Sequence, residues 1–313
     1  MVKYLALRLA RAALTLFLIV TVVFIALRQM PVEGYFPNYE KMTEAQIRDG
    51  LHRMGLDRPL HKQLAVFYGQ LLRLDLGVSH VYRAGVPVAD ILRPKLPVSL
   101  LVGGGAILLS LLLGIPLGTA MARRRNGPAD RLGTVYIVLA EAVPAAVCHL
   151  LLQLYGTSLF GLPLLFDGSR PLSWLLPVVS LAIPNTAYYA MWLRRYMLDQ
   201  SSMDYVLLVR AKGASERRVY YRHLLKNAFV PMAQYLPTSF LNTIVGSIYI
   251  ESLYSIPGMG GLLVDVIKRQ DNTMVQSIVL LFSAAGVLGL LLGDAAMAAL
   301  DPRIRLTRSR QTV

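Results

Sequence analysis

The amino-acid sequence predicts an all-α membrane protein with six transmembrane helices and an external helical segment between the first and second spans. Three observations lead to this fold class. Hydrophobic residues make up 55% of the 313 residues, and the mean hydropathy is +0.50. Six apolar stretches reach about 20 residues, the length of helix that crosses the hydrocarbon core of a bilayer. Basic residues concentrate in the segments that one side of the membrane would hold.

The six apolar stretches differ in how clearly they indicate a span. The second and fourth contain no charged residue, whereas the third contains Glu141 and His149. The fifth is the weakest because it carries polar residues such as Asn242 and Glu251. Polar side chains are tolerated in a span where neighbouring helices satisfy them. The stretches cover residues 9–29, 99–121, 133–155, 172–193, 232–254 and 275–300.

The first stretch begins like a signal peptide, because Lys3, Arg8 and Arg11 precede a long apolar run. That run is longer than a usual signal core, and it ends in Arg28-Gln29-Met30 without a small-residue cleavage site. We therefore interpret residues 1–29 as a cytoplasmic N-terminus followed by the first membrane helix.

The distribution of Lys and Arg predicts the orientation in the cytoplasmic (inner) membrane. The N-terminus, segments 122–132 and 194–231, and the tail after residue 300 hold 19 of the 32 basic residues but five of the 18 acidic ones. The positive-inside rule places these segments and both termini in the cytoplasm. The net charge of +14 is then a consequence of topology, and no nucleic-acid binding is expected.

The segment 30–98 falls outside and is predicted to be helical. Residues 43–46 read Thr-Glu-Ala-Gln, a capping box that opens a helix, and Gly55 suits its end. Pro59 opens a second run of apolar residues at helical spacing. The expected organisation is completed by a core over 99–300, with five membrane helices, and a cytoplasmic tail over 301–313.

The basic loop 194–231 reads as two helices joined by a turn. Residues 203–212 have a helical pattern, Gly213 suits a left-handed position after the helix, and Ser215 is a plausible N-cap. Basic and apolar residues then alternate, as in a helix that lies on a membrane or docks into a groove of a soluble partner. Pro231 is predicted to break the chain before the fifth span.

Several short runs occur in a recognisable order. Those in the loop are Arg210-Ala211-Lys212-Gly213, Ser215-Glu216-Arg217-Arg218-Val219, Arg222-His223-Leu224-Leu225-Lys226-Asn227-Ala228 and Pro231. Those elsewhere are Gly55-Leu56-Asp57-Arg58-Pro59-Leu60, Asp75-Leu76-Gly77-Val78-Ser79, Ile256-Pro257-Gly258-Met259-Gly260 and Asp301-Pro302-Arg303-Ile304-Arg305. Together they resemble the permease subunits of ABC importers, most closely the dipeptide, oligopeptide and nickel group. The resemblance covers nearly the whole chain.

This resemblance implies that the loop contains a cytoplasmic coupling helix, near Gly213 to Arg222, which sits in a cleft of an ATP-binding subunit. The implied coupling residues are Arg210, Ala211, Lys212, Gly213, Ser215, Glu216, Arg217, Arg218, Arg222 and His223. It also implies four partner chains: a second homologous permease, two cytosolic ATP-binding subunits and an external substrate-binding protein. The chain has no G-x-x-x-x-G-K-[ST] loop, so we expect no enzymatic activity and no cofactor in it, with ATP and Mg on the partner subunits.

Three positions depart from the family pattern. The Glu-Ala-Ala that begins the loop in the wider superfamily is replaced by Leu207, Leu208 and Val209. Residues 30–34 lack the usual Gly-Asp-Pro after the first span, and Glu141 stands where an apolar residue is common. The first departure removes an acidic contact from the loop.

The candidate translocation path consists of Glu141, His149, Asn185 and Asn242. An ionisable residue within a span is costly and often functional. Glu141 would contact a cationic group of the cargo, neutralise a basic residue of the partner permease, or be protonated and structural. His149 and Gln153 share a helix face and favour structural bonds between helices.

The predicted cargo is a di- or oligopeptide, and the first alternative is nickel or a metal chelate. A proton-coupled secondary transporter that uses Glu141 and His149 as a relay is a rival from another class. A proton-coupled transporter would not need a loop that couples it to an ATPase. An intramembrane enzyme lacks a nucleophile–base pair or metal motif of suitable spacing; we expect no metal site.

Overall fold

The computed structural model describes residues 2–36 and 38–300, and long helices dominate these ranges. The α-helices are α1 Val2–Arg28, α2 Glu44–Arg53, α3 Leu60–Leu72, α4 Val88–Leu92, α5 Leu96–Arg123, α6 Pro128–Ala142, α7 Ala145–Phe160, α8 Leu175–Ser201, α9 Asp204–Ala211, α10 Glu216–Arg218, α11 Leu225–Leu253, α12 Met259–Lys268 and α13 Asn272–Leu300. A π-helix, Val219–Leu224, joins α10 to α11. The predicted all-helical class is confirmed for the described residues, and the tail run Asp301–Arg305 lies outside them.

The chain divides into two compact units. We call Val2–Ser99 with Pro257–Val287 the N-terminal unit, and Leu100–Ile256 with residues 288–300 the core unit. Helices α5 and α13 each contribute to both units.

In the N-terminal unit, α1 packs against α3 through aromatic side chains. The rings of Phe24 and Phe67 stack at 5.1 Å between centroids, and those of Phe17 and Tyr68 at 5.2 Å. Both predicted helices of segment 30–98 are present. The capping box at α2 is confirmed, since the Thr43 side chain accepts from the Gln46 backbone N–H while the Gln46 side chain accepts from the backbone N–H of Thr43.

The N-terminus of α13 is tied to the loop that follows α3. Asp271 is fully buried, and its Oδ2 accepts hydrogen bonds from Ser79 Oγ at 2.6 Å and from the backbone N–H of Val81 and Tyr82 at 3.0 and 2.9 Å. Its Oδ1 accepts from the N–H of Met274 at 3.1 Å. These four donors satisfy a carboxylate that would otherwise be costly to bury.

In the core unit, α8 packs against α6, α7 and α11. Close helix approaches depend on glycine at two places. A Cβ added at Gly118 of α5 would lie 2.7 Å from the carbonyl oxygen of Ala190, and one at Gly293 of α13 would lie 2.2 Å from that of Gln234. Any larger residue at these positions would force the helices apart.

The predicted third span is not one continuous helix. Helix α6 ends at Ala142, α7 begins at Ala145, and the two are bent by 105°. Pro144 precedes α7, and the residue before a proline is pushed out of the α-helical region, which matches the extended Val143. Apart from this pair, length and apolar composition qualify three described helices as spans, over Leu7–Arg28, Leu96–Arg123 and Asn272–Met297.

The prediction that Pro231 breaks the chain before the fifth span is wrong. Helix α11 continues through both Pro231 and Pro237. Proline removes one backbone donor and normally kinks or ends a helix. Here Ala228, Met232 and Ala233 on the same turns are buried in the core unit, and this packing holds the helix together.

Candidate functional site

The turn at the centre of the basic loop has a defined geometry. Gly213 follows the end of α9 with φ of +78°, as predicted from the sequence. Its N–H donates to the carbonyl of Arg210 at 2.9 Å, and the N–H of Ala214 donates to that of Val209 at 3.3 Å. This pair of hydrogen bonds is the Schellman motif. The motif favours glycine at the position of Gly213, because the backbone there adopts the left-handed conformation. Ser215 occupies the N-cap position of α10, although its side chain makes no capping bond.

An ion pair closes the turn from the outside. Arg210 donates from Nε and Nη2 to the two carboxylate oxygens of Glu216, at 2.8 and 3.2 Å. The hydrogen bonds that Arg210 donates to Glu216 raise the pKa of the Arg210 guanidinium. Both side chains are substantially exposed, so the pair contributes little to overall stability. It does link the end of α9 to the start of α10.

The loop is anchored by apolar residues and presents polar ones. Val206, Val219 and Leu224 are fully buried in a cluster with Leu193 of α8 and Ala228 of α11. Nine of the ten predicted coupling residues are exposed, and His223 is half-buried. The surface of the turn is therefore free for a partner, while its inner side belongs to the core of the unit.

A buried ion pair, not predicted from the sequence, lies next to this loop. Arg194 of α8 donates to both oxygens of Asp130 of α6, at 2.6 and 2.9 Å, and the backbone N–H of Asn126 donates to Asp130 at 2.8 Å. The hydrogen bond from Arg194 holds the pKa of the Asp130 carboxyl below its usual value. One signal was available, since Asp130 is the only acidic residue in the basic segment 122–132.

A cavity of about 470 Å³ lies in the core unit between α6, α8 and α11. It brings together two of the four candidate path residues, Glu141 on the last turn of α6 and Asn185 on α8. Asn185 Nδ2 donates to the carbonyl of Leu181 at 3.0 Å and to Thr243 Oγ1 at 3.4 Å. The remaining lining residues are Ala140, Leu181, Pro184, Tyr188, Tyr235, Thr238, Ser239 and Thr243. The cavity thus offers one carboxylate, several hydroxyl groups and two aromatic rings.

Of the other two candidate path residues, His149 is not among the described residues that line this cavity. His149 is buried, and its ring lies 6.0 Å from that of Tyr249. Its neighbour Gln153 donates to the carbonyls of Leu164 and Leu253, each at 3.0 Å, so the expected bond between helices is present and goes to the backbone. The side chain of Asn242 lies outside the described residues.

Several described helices long and apolar enough to cross a membrane, an anchored and exposed turn, and a polar cavity are together the features expected of a membrane permease subunit. Residues 114–306 match the family of binding-protein-dependent transport system inner membrane components. The chain belongs to this family, and the resemblance to ABC importer permeases is confirmed.

Two relatives similar in sequence support this assignment, and one solved structure shares the fold. The dipeptide transport system permease protein DppB of Lactococcus lactis is 34% identical over 98% of this chain and all of its own length. The glutathione transport system permease protein GsiC of Salmonella typhimurium is 32% identical over 97% of this chain and 99% of its own. A chain of the MetNI methionine ABC transporter, solved in inward-facing conformations, shares the fold with a TM-score of 0.55 at 15% identity. It covers 68% of this chain, and the match spans 97% of that chain.

Proposed function

We propose that this chain is the permease subunit of an ATP-driven importer that moves di- or oligopeptides across the cytoplasmic membrane. The observation that carries the proposal is the exposed turn at Gly213, which is held on its inner side by Val206, Val219 and Leu224. The peptide cargo is supported by the full-length similarity to a dipeptide permease.

The coupling residues 210–223 would dock into a cleft of a cytosolic ATP-binding subunit. The buried cluster joins this loop to α8 and α11, which also line the polar cavity. A displacement of the turn by ATP-driven closure would therefore move cavity walls instead of bending a loose loop. A second homologous permease, two ATP-binding subunits carrying ATP and Mg, and an external binding protein complete the proposed assembly.

The proposed topology has six spans and both termini in the cytoplasm. The spans lie within α1, α5, the bent pair α6 and α7, α8, α11 and α13. Residues 122–132 and 194–231 remain on the cytoplasmic side, as the distribution of basic residues predicts. Helices α8 and α11 are 27 and 29 residues long, which is sufficient to cross the hydrocarbon core despite their polar residues. Residues 1–29 supply the first span, 30–98 the external segment, 99–300 the core and 301–313 the cytoplasmic tail.

Labelling of introduced cysteines tests this topology. Cys148 is the only cysteine, so a Cys148→Ala background is free of thiols. We expect Ala45→Cys, which is exposed on α2, to react in intact cells with a maleimide that does not cross membranes. Arg124→Cys, exposed in the basic segment, is the control and should react only after permeabilisation. The reverse pattern would overturn the proposed orientation.

The cargo is tested by uptake into proteoliposomes that contain the assembled transporter. We expect labelled di- and tripeptides to accumulate only with ATP inside and binding protein outside. Uptake of nickel without peptide would instead support the metal-importer alternative. Uptake driven by a pH gradient without ATP would support a secondary transporter.

In the same assay, Glu141→Gln is expected to lower uptake of a lysine-containing peptide by about tenfold relative to a neutral peptide. A hydrogen bond between the charged carboxylate and the cationic cargo contributes about 1.5 kcal/mol, which corresponds to roughly that ratio. Glu40→Gln, a solvent-accessible position in segment 30–98, is the matched control. Equal effects of Glu141→Gln on both peptides would show that Glu141 does not contact the cationic group.

A further inference from the structure

A second cavity, of about 450 Å³, lies entirely within the N-terminal unit. Its walls come from α1, α2, α3, the loop after α3 and the first turns of α13. It shares no lining residue with the cavity of the core unit. Pockets that bind small molecules commonly have volumes of roughly 300–1,000 Å³, so this space is large enough for a specific ligand.

The charges that line this cavity are predominantly positive. Arg28, Arg53 and Arg58 contribute guanidinium groups, and Asp75 is the one acidic residue in the described wall. Arg53 is paired with Asp49 at 2.7 Å. Arg28 and Arg58 have no carboxylate partner among the described residues. The cavity therefore favours an anionic group.

Three buried polar atoms around the cavity have no hydrogen-bond partner among the residues that the structure describes. Gln276 is only 9% exposed, yet its Nε2 has no described hydrogen-bond partner. Arg28 Nε and Gln63 Oε1 are also buried atoms without a described partner. The orientation of Gln63 is constrained, because its Nε2 already donates to the carbonyls of Leu56 and Arg58 at 2.9 and 2.7 Å. Buried polar groups are normally satisfied, so two unused donors and one unused acceptor favour a polar ligand with complementary groups.

The opposite side of the cavity is apolar. Val66, Phe67 and Leu71 of α3 and Leu280 of α13 line it. A ligand that satisfies all of these features carries an anion, an adjacent N–H donor and an apolar group. The C-terminal residue of a peptide has all three within one residue.

We propose that this cavity binds the C-terminal residue of a short peptide. The carboxylate lies between Arg28 and Arg58, where guanidinium groups match its geometry. The amide N–H faces Gln63 Oε1, and the side chain packs against Phe67 and Leu280. The proposal concerns binding alone and does not rest on the peptide being the transported cargo.

Calorimetric titration of the purified full-length chain in lipid nanodiscs tests this proposal. The probe is N-acetyl-phenylalanine, which has the carboxylate, the amide N–H and an apolar ring. We expect saturable binding, and we expect at least about tenfold weaker binding of N-acetyl-phenylalaninamide, which lacks the charge. The proposal would be overturned if no binding were detected with the probe at about 10 mM, a concentration that would reveal even a very weak affinity. Equal binding of the amide would also overturn it, as would equally effective competition by inorganic phosphate.

Two variants test whether the ligand binds in this cavity. Arg58→Gln is expected to weaken binding about tenfold, whereas Arg73→Gln, an exposed arginine outside the cavity, should leave it unchanged. Gln276→Met removes the unpaired amide, so we expect weaker binding together with an unchanged or higher unfolding temperature of the free protein. A lower unfolding temperature with unchanged binding would assign Gln276 a structural role and contradict the use of its amide as a donor to the ligand.

Discussion

The substitution Ala211→Glu is expected to abolish substrate-stimulated ATP hydrolysis while leaving membrane insertion intact. Ala211 is the last residue of α9 and is exposed beside the Gly213 turn. A larger, charged side chain there has room in the free chain, so folding should not suffer. In the docked complex it would meet the ATP-binding subunit, and the loss of a central interface contact costs about 2 kcal/mol or more. We therefore expect at least about a thirtyfold loss of association.

The measurement is the amount of ATP-binding subunit that copurifies with the tagged chain, together with the rate of ATP hydrolysis. Ala45→Glu is the matched control, because Ala45 is also exposed on a short helix but lies in the N-terminal unit. It should copurify and hydrolyse ATP like the native protein. Normal stimulated hydrolysis by Ala211→Glu would exclude this turn from the coupling contact.

The substitution Asp130→Asn is expected to destabilise the core unit by about 3 kcal/mol. The side chain of Asp130 is 5% exposed, and that of Arg194 is 29% exposed. Removing one member of a buried pair leaves the other charge uncompensated, which typically costs about 3–5 kcal/mol, and the partial exposure of Arg194 places the loss at the lower end. Arg194→Lys keeps the charge but loses the two-pronged geometry, so its effect should be smaller.

The effect of pH on this pair follows from the lowered pKa of Asp130. A carboxyl whose pKa is lower in the folded state contributes its full stability above its unfolded pKa, and loses it as the pH falls through the folded pKa. The contribution should therefore be constant at neutral pH and disappear only in strong acid, below about pH 4.

Thermal unfolding of the detergent-solubilised chain at pH 7 and in acid measures both effects. Asp204→Asn is the control, since Asp204 is exposed at the start of α9. We expect the difference between Asp130→Asn and the native protein to shrink in acid. A difference that is independent of pH down to strong acid would show that the ion pair does not account for the stability.

The features that could be predicted from the sequence are those set by local interactions. The capping box at Thr43, the helix ends at Gly55 and Gly213, and the start of α3 after Pro59 all match the structure. Each depends on hydrogen bonds or backbone preferences within about six residues. The motifs around Gly213, taken together with four further runs elsewhere in the chain, also identified the family.

Local patterns did not predict which polar residues of the spans line the cavity. Glu141 and Asn185 were chosen as polar residues within spans, and the structure places both in one cavity. His149 was chosen for the same reason, but it packs against Tyr249 instead. Polarity within a span does not reveal which way a residue faces, because that depends on how the helix is rotated against its neighbours.

The sequence by itself therefore determined the helical class, the turn at Gly213 and the family. The tertiary structure decided the course of α11 through Pro231, the bend before Pro144 and the pairing of Asp130 with Arg194. A proline or a lone carboxylate has several local outcomes of similar free energy. Packing between residues far apart in the chain selects one of them, and short-range patterns do not contain that information.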